Sequence, residues 1–362
     1  MLQGCFAGFG ETMLRLNVPA GKRLGEAVPG YLETGFGGAE ANVCTSLALL
    51  GNPVRYLTAL PAHPLTDALE RQMRGYGVET QWLRRPAGRF GTYYVEPGCG
   101  CRPSQVWYDR AYSAIALAGP EEYDFAALLD NVGCLHLTGI TPGLSENACR
   151  STLALAGEAR RRHIIVSCDV NYRSKLWRWR DGSAPQELAR HYLTELAGLA
   201  EILIVNVTQA RELFELHRPS EADNCFDLEA ARSTARQLME RFPQLQLLAL
   251  PMRETLSAEH NNLGVMLLDG TTGEEALAPT AGTGSFQPYQ LRQMADRIGG
   301  GDAFAAGLLH ARFGRPNRSL SEVAGFAIAA GCLKHSFAGD VNRATEAEIE
   351  QLMNGGNSRV CR

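Results

Sequence analysis

Residues 299 to 302, near the end of the chain, combine three consecutive glycines with an ionisable carboxylate, that of Asp302. Glycine lets a ligand approach the backbone amides closely. The residues that follow predict a helix from Asp302 to about Phe313, and free amides at a helix start point towards one spot that favours negative charge. Such a spot suits a phosphoryl group in transfer, while Asp302 could take a proton from a hydroxyl. The alternative is a flexible glycine loop in which Asp302 only caps the helix.

A second glycine-rich stretch, from Gly35 to Asn42, reads GFGGAEAN and directly precedes a predicted helix. Its paired glycines, including Gly38, allow close approach of a ligand, and Asn42 offers both a donor and an acceptor to a polyol. The G-x-G-x-x-G fingerprint of dinucleotide-binding proteins fails here, because Glu40 stands at the place of the last glycine. The phosphate-loop pattern G-x-x-x-x-G-K-[ST] is also absent from the sequence. These motifs therefore argue against a nicotinamide cofactor and against a P-loop enzyme.

Aromatic residues and arginines lie together in two further segments. Tyr93, Tyr108 and Arg110 fall in one region, and Asn171 and Arg173 follow a buried strand later in the chain. A guanidinium group pairs with a carboxylate through two parallel hydrogen bonds, so two arginines beside a sugar site would suit an acidic substrate. Each arginine alone could equally be an ordinary surface residue.

Short apolar runs alternate with helical patterns along most of the chain, which predicts βαβ units and a mainly parallel sheet. The predicted strands are Cys5–Gly8, Arg55–Leu60, Cys134–Thr138, His163–Asp169, Glu201–Asn206 and Leu245–Leu250. The predicted helices are Ala39–Leu50, Leu65–Arg74, Asn147–Arg161, Gln186–Leu199 and Leu228–Arg241. A hairpin is expected from Leu263 to Ala278, and capping boxes are expected at Ser319 and Thr345.

Two segments break this alternation, residues 14–36 and 90–113, since they hold strand-like pieces without helices. We predict that they form a small β lid over a cleft, and that residues 1–13, 37–89 and 114–362 form an α/β core. The exposed edges of such a sheet would need a partner, and this favours a homodimer or a higher homo-oligomer. The alternative is two ordinary surface loops.

Composition limits the classes of function. The chain has 362 residues with 35 Lys plus Arg and 39 Asp plus Glu, a formal net charge of −4, which argues against general nucleic-acid binding. The ten cysteines are irregularly spaced, and reduced thiols are expected. We find no signal-peptide pattern and no long apolar run, so a cytoplasmic protein without membrane contact is expected.

The pairing of GGAEAN with DRIGGGDAF resembles the two signatures of the ribokinase/PfkB carbohydrate kinases, from about Gly8 to Asp340. The segments GETMLRL, RPSQVWYDRAYSAIA, LHLTGITPGLS, SCDVNYRSKLW and SFAGD are similar, more narrowly, to the 2-keto-3-deoxygluconate kinases of that family. The resemblance implies a three-layer α/β/α core with a small β-sheet lid. It further implies transfer of the γ-phosphoryl group of ATP, with Mg²⁺ between the phosphates, to a terminal hydroxyl of 2-keto-3-deoxygluconate.

The same resemblance implies a role for each matching position. Asp302 would be the catalytic base and Gly299, Gly300 and Gly301 the anion hole. The sugar-acid pocket would be lined by Gly38, Asn42, Tyr93, Tyr108, Arg110, Arg173 and Asp340. Asn206 and Arg253 would face the nucleotide.

The main departure from the family pattern lies at Gln209, where an Asn-x-x-Glu motif is usual and the glutamate helps to hold the magnesium shell. A neutral Gln209 predicts a weaker, water-mediated contact with the metal. Two alternatives therefore stay open. One is another PfkB kinase of the fructokinase or ribokinase type, and the other is a sugar-acid-binding sensor with weakened catalysis.

Overall fold

In the computed structural model, residues 2–217, 225–280 and 284–356 are described. The strands of this part are β1 Cys5–Phe9, β2 Met13–Asn17, β3 Glu33–Gly37, β4 Val54–Leu57, β5 Val78–Glu79, β6 Thr92–Glu96, β7 Gln105–Asp109, β8 Val132–Thr138, β9 Ile165–Asp169, β10 Ile202–Ile204, β11 Leu247–Thr255, β12 His260–Asp269, β13 Glu275–Ala278 and β14 Tyr289–Arg292.

The α-helices are α1 Leu24–Ala27, α2 Ala39–Leu49, α3 Pro64–Gly75, α4 Ala114–Leu117, α5 Phe125–Leu128, α6 Glu146–Arg161, α7 Pro185–Gly198, α8 Val207–Phe214, α9 Leu228–Arg241, α10 Gly300–Leu309, α11 Leu320–Lys334 and α12 Glu346–Met353. Short 3-10 turns occupy Pro120–Glu122 and Thr141–Gly143, and a π-helical segment, His310–Gly314, follows α10.

The large sheet has the strand order β13-β12-β11-β10-β9-β8-β1-β4-β5, with β14 added to β12. Its strands run parallel from β5 to β11. The pairs that involve β12 are antiparallel, so a hairpin edge closes the parallel sheet. The alternation of strands and helices in the sequence predicted this arrangement, and the mainly parallel α/β fold is confirmed.

Helices cover both faces of the large sheet because its strands are apolar on both sides. In β1, Phe6 belongs to the hydrophobic cluster that contains α10 and α11, whereas Ala7 and Phe9 belong to the cluster that contains α6 and α7. Neighbouring residues of a strand point to opposite faces, so a fully apolar strand requires a layer of helices on each side. The result is the predicted three-layer core.

A separate four-stranded sheet has the order β3-β2-β6-β7. Its strands come from the two segments whose sequence lacks helical patterns. The pair of β2 and β6 is parallel, and the outer pairs are antiparallel. The sequence therefore located a second, smaller sheet.

Several local predictions are confirmed and one is wrong. The capping boxes of Ser319 with Glu322 and of Thr345 with Glu348 both form. The predicted helix start at Asp302 is wrong, because α10 begins at Gly300 and its N-cap is Gly299. The cysteines in the described part of the chain are free thiols. No helix in the same ranges has the length and apolar character needed to cross a membrane.

Candidate active site

Asp302 lies in the first turn of α10 and is buried, with 9% of its surface exposed. Asn42, on α2, donates a hydrogen bond from Nδ2 to Asp302 Oδ2 over 2.7 Å. Since the residue before the helix is Gly299, Asp302 is not a helix cap, and its carboxylate is free for another task. The alternative of a merely capping Asp302 is thereby removed.

The glycines of the two motifs allow backbone contacts that a side chain would block. Gly299 has φ of +86°, and a Cβ atom there would lie 1.9 Å from the carbonyl oxygen of Asp340. A Cβ atom on Gly38 would lie 2.0 Å from the carbonyl oxygen of Glu11. The first motif therefore packs against the loop of Asp340, and the second packs against the loop between β1 and β2.

Burial raises the pKa of Asp302 to about 6. The hydrogen bond from Asn42 lowers this pKa, the negative charge of Asp340 raises it, and the positive charges of Arg173 and Lys334 lower it. A carboxylate of this kind is ionised at neutral pH and yet basic enough to accept a proton, which is the requirement for a general base.

Two further acidic residues near Asp302 were missed by sequence reasoning. Asp169, at the end of β9, has a pKa raised to about 7 by burial and then by the charge of Asp302. Glu40, on α2, accepts hydrogen bonds at Oε1 from Thr138 (2.7 Å) and Thr141 (3.0 Å), and burial raises its pKa to about 7. Glu40 carried a signal within its own motif, as the one charged residue among small residues at the start of a buried helix.

The carboxylate of Asp340 is held by two residues of the small sheet. Tyr93 donates its hydroxyl to Asp340 Oδ2 over 2.7 Å. Arg15 Nη1 forms an ion pair with Asp340 Oδ1, and Arg15 Nη2 pairs with Asp296 Oδ2 at 2.5 Å. Arg15 is 4% exposed and was also missed, since nothing local marks an arginine on a short strand as buried. This network ties the small sheet to the loop that carries the glycines.

Tyr108, on β7, lies directly opposite Tyr93 in the small sheet, and Arg110 follows the same strand. The guanidinium group of Arg110 lies 5.1 Å from the centroid of the Tyr108 ring and forms an ion pair with Glu11. Ser113 also donates to Glu11, over 2.8 Å. Arg173, by contrast, makes no ion pair with any residue in the described ranges.

Asn206 and Gln209 begin α8. Asn206 is the N-cap, and its Oδ1 accepts a hydrogen bond from the backbone N–H of Gln209 over 2.9 Å. Gln209 Nε2 donates to the carbonyl oxygen of Tyr172 over 3.3 Å. Within the described ranges, no cluster of three or more His, Cys, Asp or Glu side chains forms a ready metal site.

All the predicted site residues line one pocket of about 1110 Å³. They are Gly38, Asn42, Tyr93, Tyr108, Arg110, Arg173, Asn206, Gln209, Arg253, Gly299, Gly300, Gly301, Asp302 and Asp340. Asp169 and Arg297 line it as well. Residues that are far apart in the sequence thus share one cavity, although their individual roles stay predictions.

Comparison with known proteins identifies the family. The family model described as pfkB family carbohydrate kinase matches residues 7–346. The chain belongs to the PfkB family. This PfkB kinase is 30% identical to the 2-dehydro-3-deoxygalactonokinase of Haloferax volcanii over 355 residues, which are 98% of each chain.

Solved structures agree with this assignment. The crystal structure of 2-dehydro-3-deoxygluconokinase from Thermotoga maritima matches the PfkB kinase with a TM-score of 0.86 and 31% identity, covering 97% of this chain and 99% of that one. A putative ribokinase II from E. coli, solved in complex with ATP and Mg²⁺, matches with a TM-score of 0.75 at 15% identity, over 97% and 99% of the two chains. The second likeness concerns the fold alone. The chain is an ATP-dependent carbohydrate kinase, and its family implies ATP with a divalent metal.

Proposed function

We propose that this kinase transfers the γ-phosphoryl group of ATP to a terminal hydroxyl of 2-keto-3-deoxygluconate, with Asp302 as the base. The observation that carries the proposal is the position of Asp302. It is a buried carboxylate with a raised pKa, hydrogen-bonded to Asn42 and adjacent to the amides that start α10. The hydroxyl proton passes to Asp302 while the hydroxyl oxygen forms the new bond to phosphorus, and the bond from that phosphorus to the bridging oxygen breaks so that ADP leaves with the electron pair.

The amides of Gly299 to Gly301 would stabilise negative charge on the phosphoryl group in transfer. Helix amides of this kind are fixed in place before the reaction, so they lower the barrier without reorganising, and one such donor is typically worth about 3 kcal/mol. The Gly299 backbone packs directly against the carbonyl oxygen of Asp340, which leaves no room for a side chain at this position.

The preference for an acid rests on Arg110 and Arg173. Both line the pocket, and Arg173 makes no ion pair with the described residues, so its charge is available to a carboxylate of the substrate. Arg110 already pairs with Glu11 and stacks against Tyr108, and we infer that it orients rather than neutralises the sugar acid. Relatives named for the gluconate and galactonate forms of a 2-dehydro-3-deoxy acid support this class of substrate, and 2-dehydro is another name for 2-keto.

A second candidate substrate is 2-keto-3-deoxygalactonate. The relative from Haloferax volcanii, matched over 98% of both chains, is named for that acid. The two acids differ in the configuration at one hydroxyl-bearing carbon. The same pocket charges would hold either one.

The pocket offers oxygen atoms that fit a magnesium ion bound mainly through phosphates. Mg²⁺ keeps several waters and needs one or two protein oxygens in addition to the nucleotide. Gln209 and Asp169 line the pocket and offer an amide oxygen and a carboxylate. The ion would neutralise phosphate charge, and Gln209 would reach it through water.

We also propose that residues 14–36 and 90–113 act as a lid on a core formed by residues 1–13, 37–89 and 114–362. The link from Arg15 and Tyr93 to Asp340 supports this, because it couples the small sheet to the pocket. Such a lid would exclude water and so limit wasteful hydrolysis of ATP. A homo-oligomer and a cytoplasmic location stay predictions.

A panel of acceptors tests the proposed function. The rate of ADP formation is measured with ATP and, side by side, 2-keto-3-deoxygluconate, 2-keto-3-deoxygalactonate, fructose and ribose. We expect kcat/KM to be at least about tenfold higher for one of the two acids than for either neutral sugar. A preference for fructose or ribose would refute the acidic substrate. Thermal stabilisation by the acids without ADP formation would instead support the sensor.

A further inference from the structure

Two arginines without an acidic partner lie together on the pocket wall. Arg253 is on β11, and Arg297 precedes Gly299 by two residues. Both donate a hydrogen bond to Asn261 Oδ1, Arg253 from Nε at 2.8 Å and Arg297 from Nη2 at 3.3 Å. Across residues 2–217, 225–280 and 284–356, neither guanidinium group forms an ion pair with a carboxylate. The pocket therefore contains two adjacent positive charges that the described chain does not balance.

Asn261 is built to hold this pair. It is fully buried and lies directly opposite Thr255 in the antiparallel pair of β11 and β12. Its Oδ1 accepts a third hydrogen bond, from Thr255 Oγ1 at 3.0 Å, and its Nδ2 donates to the carbonyl oxygen of Ser257 at 3.3 Å. A neutral amide at this position fixes the direction of both guanidinium groups without cancelling their charge. A carboxylate there would form the ion pairs that are missing.

The pair is connected to the glycine loop through His335. The buried ring of His335 packs on that loop, since a Cβ atom on Gly300 would lie 2.5 Å from its Cε1 atom. Burial, and then the charge of Arg253, lowers the pKa of His335 to about 4, so the ring is neutral at pH 7. Arg253 thus acts on a side chain that touches the anion-binding loop.

The guanidinium groups of Arg253 and Arg297 also repel each other. Burial, followed by the charge of Arg297, lowers the pKa of Arg253 to about 10, and burial also lowers the pKa of Arg297. Both groups stay charged at pH 7. An anion between them would relieve the repulsion and supply the carboxylate-like partner that each lacks.

We propose that Arg253 and Arg297, positioned by Asn261, form a clamp for the phosphate groups of the nucleotide donor. The clamp rests on the proposed transfer at Asp302, because it places donor phosphates beside the glycine loop. Arg253 alone was a candidate for the nucleotide from its resemblance. The structure adds Arg297 as a second ligand and Asn261 as the positioning residue, and it gives the recognised group a chemical class, a polyphosphate.

The carboxylate of the sugar acid could compete with the nucleotide phosphates for Arg253 and Arg297. The positions of the arginines in the sheet favour the phosphates. Arg110 and Arg173 follow β7 and β9, whereas Arg253 lies on β11, which is separated from β9 by β10. The two pairs of arginines thus enter the pocket from different elements. Arg173, with Arg110 to orient the substrate, suffices for one carboxylate, which leaves the second pair for the phosphates.

The test compares Arg253→Gln and Arg297→Gln with the wild-type chain. ADP is titrated calorimetrically at low salt in EDTA, so that no metal contributes, and KM is then measured for ATP with Mg²⁺ and for the sugar acid. We expect each variant to bind ADP about tenfold more weakly and to show a similar rise in KM for ATP. The KM for the sugar acid should change by less than about twofold. Arg162→Gln, which alters the exposed arginine at the C-cap of α6, is the matched control with no expected change.

The substitution Asn261→Asp tests whether ADP binding depends on the positive charge of the two arginines. The new side chain has the same shape and can accept the same three hydrogen bonds, but it cannot donate to the carbonyl oxygen of Ser257, and its charge would neutralise part of the clamp. The new ion pairs oppose the loss of that one donation, so we expect a folded protein with about tenfold weaker ADP binding. Unchanged ADP binding in this variant would mean that Asn261 is only structural, and it would overturn the clamp.

Two other outcomes would also overturn the proposal. One is ADP affinity within about twofold of wild type in both arginine variants. The other is a rise in KM for the sugar acid while KM for ATP stays constant, which would assign the arginines to the acceptor. A third outcome is that the wild-type protein binds ADP, that the arginine variants do not, and that the wild-type protein phosphorylates no keto-deoxy acid. In that case the clamp is supported and the proposed substrate is wrong. The two ideas can therefore be refuted separately.

Discussion

Replacing Asp302 with asparagine tests the proposed base most directly. Asn42 Nδ2 donates to Asp302 Oδ2 at 2.7 Å, and the amide oxygen of an asparagine can accept the same hydrogen bond. The change therefore keeps the shape and the partner of the side chain while removing its ability to accept a proton. We expect substrate and ADP to bind nearly as well as in the wild-type chain.

The expected loss of rate follows from the pKa. With a pKa of about 6, Asp302 is almost fully ionised at pH 7.5, so the wild-type enzyme uses its base in nearly every molecule. A positioned general base contributes about 10² to 10⁴ in rate, or about 3 to 5 kcal/mol of barrier. Asp302→Asn should therefore lower kcat by at least about a hundredfold.

The pH profile provides an independent check. Because the base works only when deprotonated, kcat/KM of the wild-type enzyme should fall on the acid side with a midpoint near pH 6. Asn42→Ala removes the hydrogen bond that lowers the pKa of Asp302, so its midpoint should lie at higher pH. A midpoint that is the same in both proteins would contradict the assigned coupling.

The stability of the Asp302→Asn variant shows whether its loss of activity comes from the missing base or from unfolding. The folded chain raises the pKa of Asp302 above its usual value, so its contribution to stability is present at low pH and is lost as the pH rises through about 6. Above that pH the ionised side chain is destabilising. Asp302→Asn should consequently unfold at the same or a higher temperature at pH 8. Normal turnover by a folded Asp302→Asn variant would refute the role of Asp302.

Three further changes test other parts of the pocket. Glu40→Gln keeps an acceptor for Thr138 and Thr141 but removes a buried charge whose pKa is raised from 4.5 to about 7. In urea unfolding, Glu40→Gln should therefore raise the free energy of unfolding by up to about 3 kcal/mol at pH 8 and change it little near pH 4. An equal effect at both pH values would contradict the assigned pKa. Arg173→Gln should raise KM for the sugar acid by about tenfold and leave a neutral ketose unaffected, whereas equal losses would exclude a carboxylate contact. Gln209→Glu adds a carboxylate at the start of α8 and should lower the Mg²⁺ concentration for half-maximal rate, and an unchanged titration would put this side chain outside the metal shell.

The order of the elements was readable from local patterns. The helix α9 was predicted with both of its ends, and β9 and α6 with one end each. Regular elements of this kind are determined by the spacing of apolar residues and by caps, which are properties of neighbouring residues. The start of α10 was misjudged by two residues, because glycines have low helix propensity and the first turn is held by tertiary contacts instead.

The hidden members of the site had no local pattern to reveal them. Arg15 pairs with Asp340, 325 residues away in the sequence, and even for the predicted Asn42 nothing local identified Asp302, 260 residues away, as its partner. In the sequence, Arg297 is only a charged residue in a predicted loop. The fold places Asn261, on β12, within hydrogen-bonding distance of it. A pattern within one segment carries no information on which distant segment will lie beside it.

For Asp302, the sequence by itself determined the residue type, the three glycines before it and its place at the start of a helix. These follow from local chemistry, which any chain with this motif would share. Only the tertiary structure decided that the carboxylate is buried, that Asn42 holds it and that its pKa rises to about 6. The physical reason is that a pKa depends on the solvent and on the charges around a group, and folding alone brings those together.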